Sequence, residues 1–148
     1  MTKSQRLKPV SEIAASHERD AAKHMGEQQR LLDAHRQKLE DLIQYRSEYS
    51  EKMLSAGSSG IGAGQMQDYS MFIRRLEEAI AFQRGQIDLA QRQLEVKQRE
   101  WRAMHTRSEA LDRVVTRYQV NENRERDRRE QRENDDRAQR VTRTHHET

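Results

Sequence analysis

Residues 66–120, MQDYSMFIRRLEEAIAFQRGQIDLAQRQLEVKQREWRAMHTRSEALDRVVTRYQV, decide the fold. Alternating steps of three and four from Met66 give Met66, Tyr69, Ile73, Leu76, Ile80, Gln83, Ile87, Ala90, Leu94, Lys97, Trp101, Met104, Ser108, Leu111, Val115 and Tyr118. Thirteen of these sixteen are apolar or aromatic, where a chain that is 32% apolar supplies about five by chance. Only Gln83, Lys97 and Ser108 depart. A mean period of 3.5 residues keeps one stripe of a helix turned toward one partner helix. A disordered chain has no reason to hold that phase from residue 66 to residue 118.

Moving outward toward the N-terminus, SAGSSGIGAG (residues 55–64) holds four glycines. Glycine ends helices and lets the chain reverse, so the sequence predicts a turn over 55–65 between a helix of about 5–54 and a helix of about 66–120. The stretch has the glycine content of a phosphate loop. It lacks the Lys-Ser/Thr pair that must follow, and it lies between helices rather than after a strand. The first helix repeats less regularly. Met25, Leu32, Leu39 and Met53 recur at multiples of seven with Arg46 in the remaining slot; Ala15, Ala22 and Ile43 flank them, and Leu7, Val10 and Ile13 supply an apolar start.

If the chain turns near residue 60, facing residues have numbers that sum to about 120. The apolar seam of the second helix stops at Tyr118 and Val120, where the first helix runs out of partners. The expected fold is therefore all-α: a long antiparallel two-helix coiled-coil hairpin, each arm roughly 75 Å, paired within one chain as a monomer. Each Leu or Ile buried in the seam contributes about 1.5–3 kcal/mol, so no thick core is needed.

Composition agrees. The chain is 36% charged and has one proline, Pro9. It has no cysteine, which excludes disulfides and thiolate metal sites. No apolar run reaches the ~18–20 residues that span a bilayer, and MTKSQRLKPVSEI lacks the apolar centre of a secretory signal. The net charge is +3, but basic and acidic groups number 10 and 9 over residues 1–56, 10 and 8 over 57–120, and 8 and 8 over 121–148. No segment builds the one-signed field that phosphate backbones require, so no nucleic-acid binding is expected. Residues 121–140, NENRERDRREQRENDDRAQR, have Ala138 as their one apolar side chain. Glu122–Arg126, Glu125–Arg129, Glu133–Arg137 and Asp136–Arg140 have the favourable i,i+4 order, so residues 121–148 read as a charged extension, helical and then disordered over VTRTHHET.

Function reads from what is left over. Leu42, Tyr45 and Tyr49 form a second stripe beside the Met25–Leu32–Leu39 column, and Phe72, Ala79 and Phe82 lie off the strict seam next to Leu76. Clustered aromatics on a rigid helix make either a binding hot spot or a locally widened seam. The sum rule sets His17 opposite His105 and His24 opposite Lys97; no carboxylate completes a ligand set, so no metal site and no cofactor are expected. A coiled coil offers no cleft that excludes water, so the chain is expected not to be an enzyme. Trp101 reads as core.

LEDLIQYRSEY (39–49), the GIGAG turn and YSMFIRRLEEAIAFQ (69–83) resemble the flagellar FliJ family, with Gly26-Glu27 and Trp101 also fitting. The resemblance runs over roughly residues 10–120 and is sharpest in the central segment. It implies a component of the bacterial flagellar type III protein export apparatus, similar to the gamma stalk of rotary ATPases. It implies as partners the export ATPase FliI with its regulator FliH, the cytoplasmic domain of the export gate FlhA, and export chaperones. The implied place is cytoplasmic, at the inner face of the cell membrane at the flagellar base, in the service of motility and chemotaxis. The gate-binding surface that the resemblance implies carries over to Leu42, Tyr45, Tyr49, Phe72, Leu76 and Ala79. This sequence has Gln83 where the family can have histidine, and Lys38 where it can have an amide. Two alternatives are the stalk of a virulence type III secretion system, which genomic neighbours would reveal, and a generic coiled-coil scaffold, which sedimentation as an obligate dimer would reveal.

Overall fold

The computed structural model describes residues 1–146. These residues form two α-helices, α1 (Lys3–Ser58) and α2 (Ala63–His146), packed against each other as an all-α hairpin. Helix contacts group into two compact units: residues 20–101, and Met1–Arg19 with residues 102 onward.

In the unit of residues 20–101, Leu32, Ala90 and Leu94 form a buried core with Met25 and Ile87 packed on it. Leu76, Ile80 and Gln83 are also buried. Antiparallel pairing is direct: the tilted rings of Tyr49 and Tyr69 meet, His35 meets Gln83, and Gln28 meets Ala90. The numbers in each pair sum to about 120, the register expected of a turn near residue 60.

The turn itself is tighter than the expected 55–65: only residues 59–62 lie outside the helices. Its hydrogen bonds explain why. The Ile61 N–H donates to the Ala56 carbonyl and the Gly60 N–H to the Gly57 carbonyl, both at 3.3 Å, with Gly60 at φ 81°. This is the Schellman arrangement, in which one left-handed residue satisfies the last carbonyls of a helix. One glycine therefore suffices, and Gly57 and Gly64 stay helical. α2 starts from Gly62, whose carbonyl accepts its first helical bond, from the Met66 N–H.

In the unit of residues 1–19 and 102 onward, Ser4, Ala14, Ser108 and Val115 are buried. α1 begins with a capping box, in which Thr2 Oγ1 accepts from the Gln5 N–H and Gln5 Oε1 accepts from the Thr2 N–H. The Ser4 N–H, a further orphan donor, is satisfied from α2 by Glu122 Oε1 at 3.1 Å. Pro9 lies inside α1 without ending it.

All sixteen positions counted along α2 from Met66 to Tyr118 are buried or half-buried. The facing stripe of α1 runs Ser4, Leu7, Ser11, Ala14, Glu18, Ala21, Met25, Gln28, Leu32, His35, Leu39, Leu42, Arg46, Tyr49, Met53 and Ala56, again without an exposed member. Val10 and Ile13, expected to start the seam, are instead 41% and 57% exposed. The phase is set by the whole helix. Turning those two residues inward needs a break in the heptad register, and none occurs. The C-terminal residues also differ from expectation, since α2 continues as an exposed helix through His146. The remaining part of the expected disorder, residues 147 and 148, lies outside the described residues.

Candidate partner-binding surface

Near the turn, one stripe of rings crosses the hairpin. Tyr45 and Tyr49 are four residues apart on α1, so their rings share a face, with centroids 5.3 Å apart. Phe72 of α2 packs on Tyr49 at 4.4 Å and on Tyr45 at 6.4 Å, and Tyr69 meets Tyr49 at 6.4 Å. Tilted rings at these separations gain edge-to-face attraction beyond area burial, which fixes the cluster. Lys52 places Nζ 4.9 Å from the Tyr49 centroid. A shallow hollow of about 380 Å³ opens beside the cluster, lined by Tyr49, Gln65, Asp68, Tyr69 and Phe72.

The rings both widen the seam and leave some apolar surface outward. Leu42, Tyr49, Phe72 and Ala79 are half-buried and Leu76 is buried. Tyr45 (47% exposed) and Phe82 (67% exposed) still present apolar surface outward. Leu76 is 8% exposed and so presents little surface for a contact. Gln83 is likewise interior: its Nε2 donates to His35 Nδ1 at 2.9 Å and to the His35 carbonyl at 3.0 Å.

The histidines fall differently from the sum rule. His105 faces Glu18, not His17: its Nδ1 is 2.5 Å from Glu18 Oε1, and its Nε2 lies 3.3 Å from Glu109. The Glu18 contact holds the imidazole proton more tightly than usual, against partial desolvation. The same bond, helped by the Ser108 hydroxyl, holds the Glu18 carboxyl below its ordinary range. His24 does not meet Lys97; it turns to Glu27 on its own helix at 3.6 Å, while Lys97 pairs with Glu100 at 3.3 Å. The reason is rotational. His17 and His24 lie one position before the seam residues Glu18 and Met25, and so point outward.

Sequence reasoning missed the clasp between Ser4 and Glu122. Glu122 takes the Ser4 hydroxyl at 2.5 Å as well as its N–H, and both bonds lower the carboxyl's pKa. Glu122 was expected to pair with Arg126, which bonds Asn123 instead. The usable signal was position: Glu122 continues the α2 seam beyond Tyr118 by one step of four. Lys3 sits over Tyr118 in the same region, with Nζ 5.5 Å from the ring centroid.

No helix among the described residues is long and apolar enough to cross a membrane. The family model described as "Flagellar FliJ protein" matches residues 2–147. A flagellar FliJ protein of Escherichia coli (strain K12) is 30% identical over 104 residues, covering 70% of this chain and 71% of that protein. One from Salmonella typhi is 28% identical over the same length and coverage. No solved structure matches. With a family model spanning nearly the whole sequence and a heptad-built helical hairpin beneath it, this chain belongs to the flagellar FliJ family.

Proposed function

We propose that this chain is a non-enzymatic stalk component of the bacterial flagellar type III export apparatus, acting as a docking element in the cytoplasm at the flagellar base. Family membership supports the assignment to flagellar export. In this reading the Tyr45–Tyr49–Phe72 cluster, together with Leu42, Leu76 and Ala79, binds the cytoplasmic domain of the export gate FlhA. The observation that carries it is a set of rings locked to one another while Tyr45 stays 47% exposed. Pre-fixed aromatics lose little conformational freedom on binding and are favoured at hot spots. The export ATPase FliI, together with FliH, engages the unit made by both ends of the hairpin, and export chaperones are further partners.

Replacing Tyr45, Tyr49 and Phe72 together with alanine is expected to abolish gate binding in calorimetry while far-UV circular dichroism keeps its helical signal. Unchanged gate affinity would reject the reading. Adding the purified chain to the cognate export ATPase is expected to raise hexamer formation and ATP turnover, and a flat response would remove the stalk role.

A further inference from the structure

The hollow beside the ring cluster carries a charge. Its lining is the three rings Tyr49, Tyr69 and Phe72 together with Asp68 and Gln65, and of these Asp68 alone is ionised. The rings are half-buried, while Asp68 and Gln65 are exposed. Spacing builds the wall on α2, because Gln65, Asp68, Tyr69 and Phe72 are three, one and three residues apart and share one face. Tyr49 closes it from α1 through its ring contacts with Tyr69 and Phe72.

Local helix chemistry does not account for the carboxylate. Asp68 is the sixth residue of α2, past the first turn in which an acid gains from the helix dipole. The residues three and four away, Gly64, Gln65, Met71 and Phe72, are uncharged, so α2 offers it no ion pair. Among the described residues, none donates a hydrogen bond or a salt bridge to it. The rings point to what it faces. Lys52 already holds Nζ 4.9 Å from the Tyr49 centroid without lining the hollow, so this cluster attracts cations through the negative faces of its rings.

We propose that the hollow receives the side chain of an arginine presented by the protein that docks on the ring cluster. A guanidinium is flat and weakly hydrated. It can lie against the rings while two parallel N–H groups bond the Asp68 carboxylate and a further one bonds Gln65 Oε1. An ammonium is compact and strongly hydrated, and has no plane to stack. The identity of the docking protein rests on the gate reading; the preference for a guanidinium rests on the hollow itself.

The test titrates the full nitrogen-15-labelled chain with Nα-acetyl-arginine amide, its lysine counterpart and its neutral citrulline counterpart at matched ionic strength. The arginine amide is expected to give saturable shifts at the backbone amides of Gln65, Asp68 and Tyr69. The lysine amide is expected to bind several-fold more weakly and the citrulline amide not at all. Asp68→Asn is expected to weaken the arginine amide about fivefold or more. Glu77→Gln, an exposed acid about two and a half turns further along and so on the opposite face, is expected to change nothing. Calorimetry with the cytoplasmic domain of the gate is expected to show the same loss for Asp68→Asn and a flatter dependence on salt, with helicity unchanged by circular dichroism. Shifts that do not saturate, that persist in Asp68→Asn or that lysine matches would overturn the proposal. So would gate binding by the wild type that Asp68→Asn leaves intact. A wild type that does not bind the gate sinks the gate reading instead, and the arginine titration then decides the hollow.

Discussion

Gln83 interrupts the apolar stripe of α2, yet it is 2% exposed and its amide donates to both the ring and the carbonyl of His35. A buried amide between two helices fixes register, because a slip strands its donors in the core. Gln83→Ala removes those bonds and leaves a cavity. It is expected to lower stability by about 2 kcal/mol in urea titration, and an unchanged midpoint would count against a register role. Gly85→Ala works in the other direction, since helix propensity alone raises stability by about 0.5–1 kcal/mol where the new methyl meets nothing. His105 supplies the pH dependence. Its pKa is raised from 6.5, so its contribution is full below 6.5 and is lost as pH rises through the folded-state value. The pKa of Glu18 is lowered from 4.5, so its contribution is present above 4.5 and is lost as pH falls through its folded-state value. The pair therefore supports helix pairing most between about pH 4.5 and 6.5, within a setting that also includes Glu109 and Arg19. Thermal melts are expected to weaken from pH 6 to pH 8.5, and His105→Gln is expected to flatten that slope.

At the scale of the element, α1 shows why counting apolar residues is a one-way guide. Its seam holds register across every heptad, but Ser4, Ser11, Glu18, Gln28, His35 and Arg46 occupy seam positions. Among the described residues, the buried apolar side chains are Leu76, Ile80, Ala90, Leu94 and Val115 on α2 against Ala14 and Leu32 on α1, and α1 carries the polar partners of Gln83 and His105. The turn depends on one backbone conformation. Gly60→Ala places a Cβ at φ 81° and is expected to cost about 1–2 kcal/mol, measured as a lower melting temperature. Gly62→Ala, at a residue without positive φ, is expected to cost less. Beyond Glu122, α2 is exposed along its length and its bonds are local, such as Gln131 to Asp135 and Thr142 Oγ1 to the Ala138 carbonyl.

For the whole molecule, the two helices and their pairing were legible from residues 66–118, because a 3.5-residue apolar period admits a helical seam and little else. The aromatic stripe was legible as a surplus, since Tyr45, Phe72 and Phe82 exceed what one seam needs. Removing residues 130–148 is expected to leave the thermal transition of the hairpin within about 1 kcal/mol, because residues 130–146 are exposed and bury no apolar area. A shift larger than that, by calorimetry, would mean that the tail packs on the hairpin. By itself the sequence determined the fold class, the antiparallel register and the α2 seam, since each depends only on spacing along the chain. Only the tertiary structure decided that Glu18 rather than His17 meets His105, that Glu122 clasps Ser4, that Val10 and Ile13 face outward and that Gly60 alone makes the turn. Each of these depends on helix rotation to within a single residue, about 100° of arc, and that angle is fixed by packing against the partner helix rather than by composition.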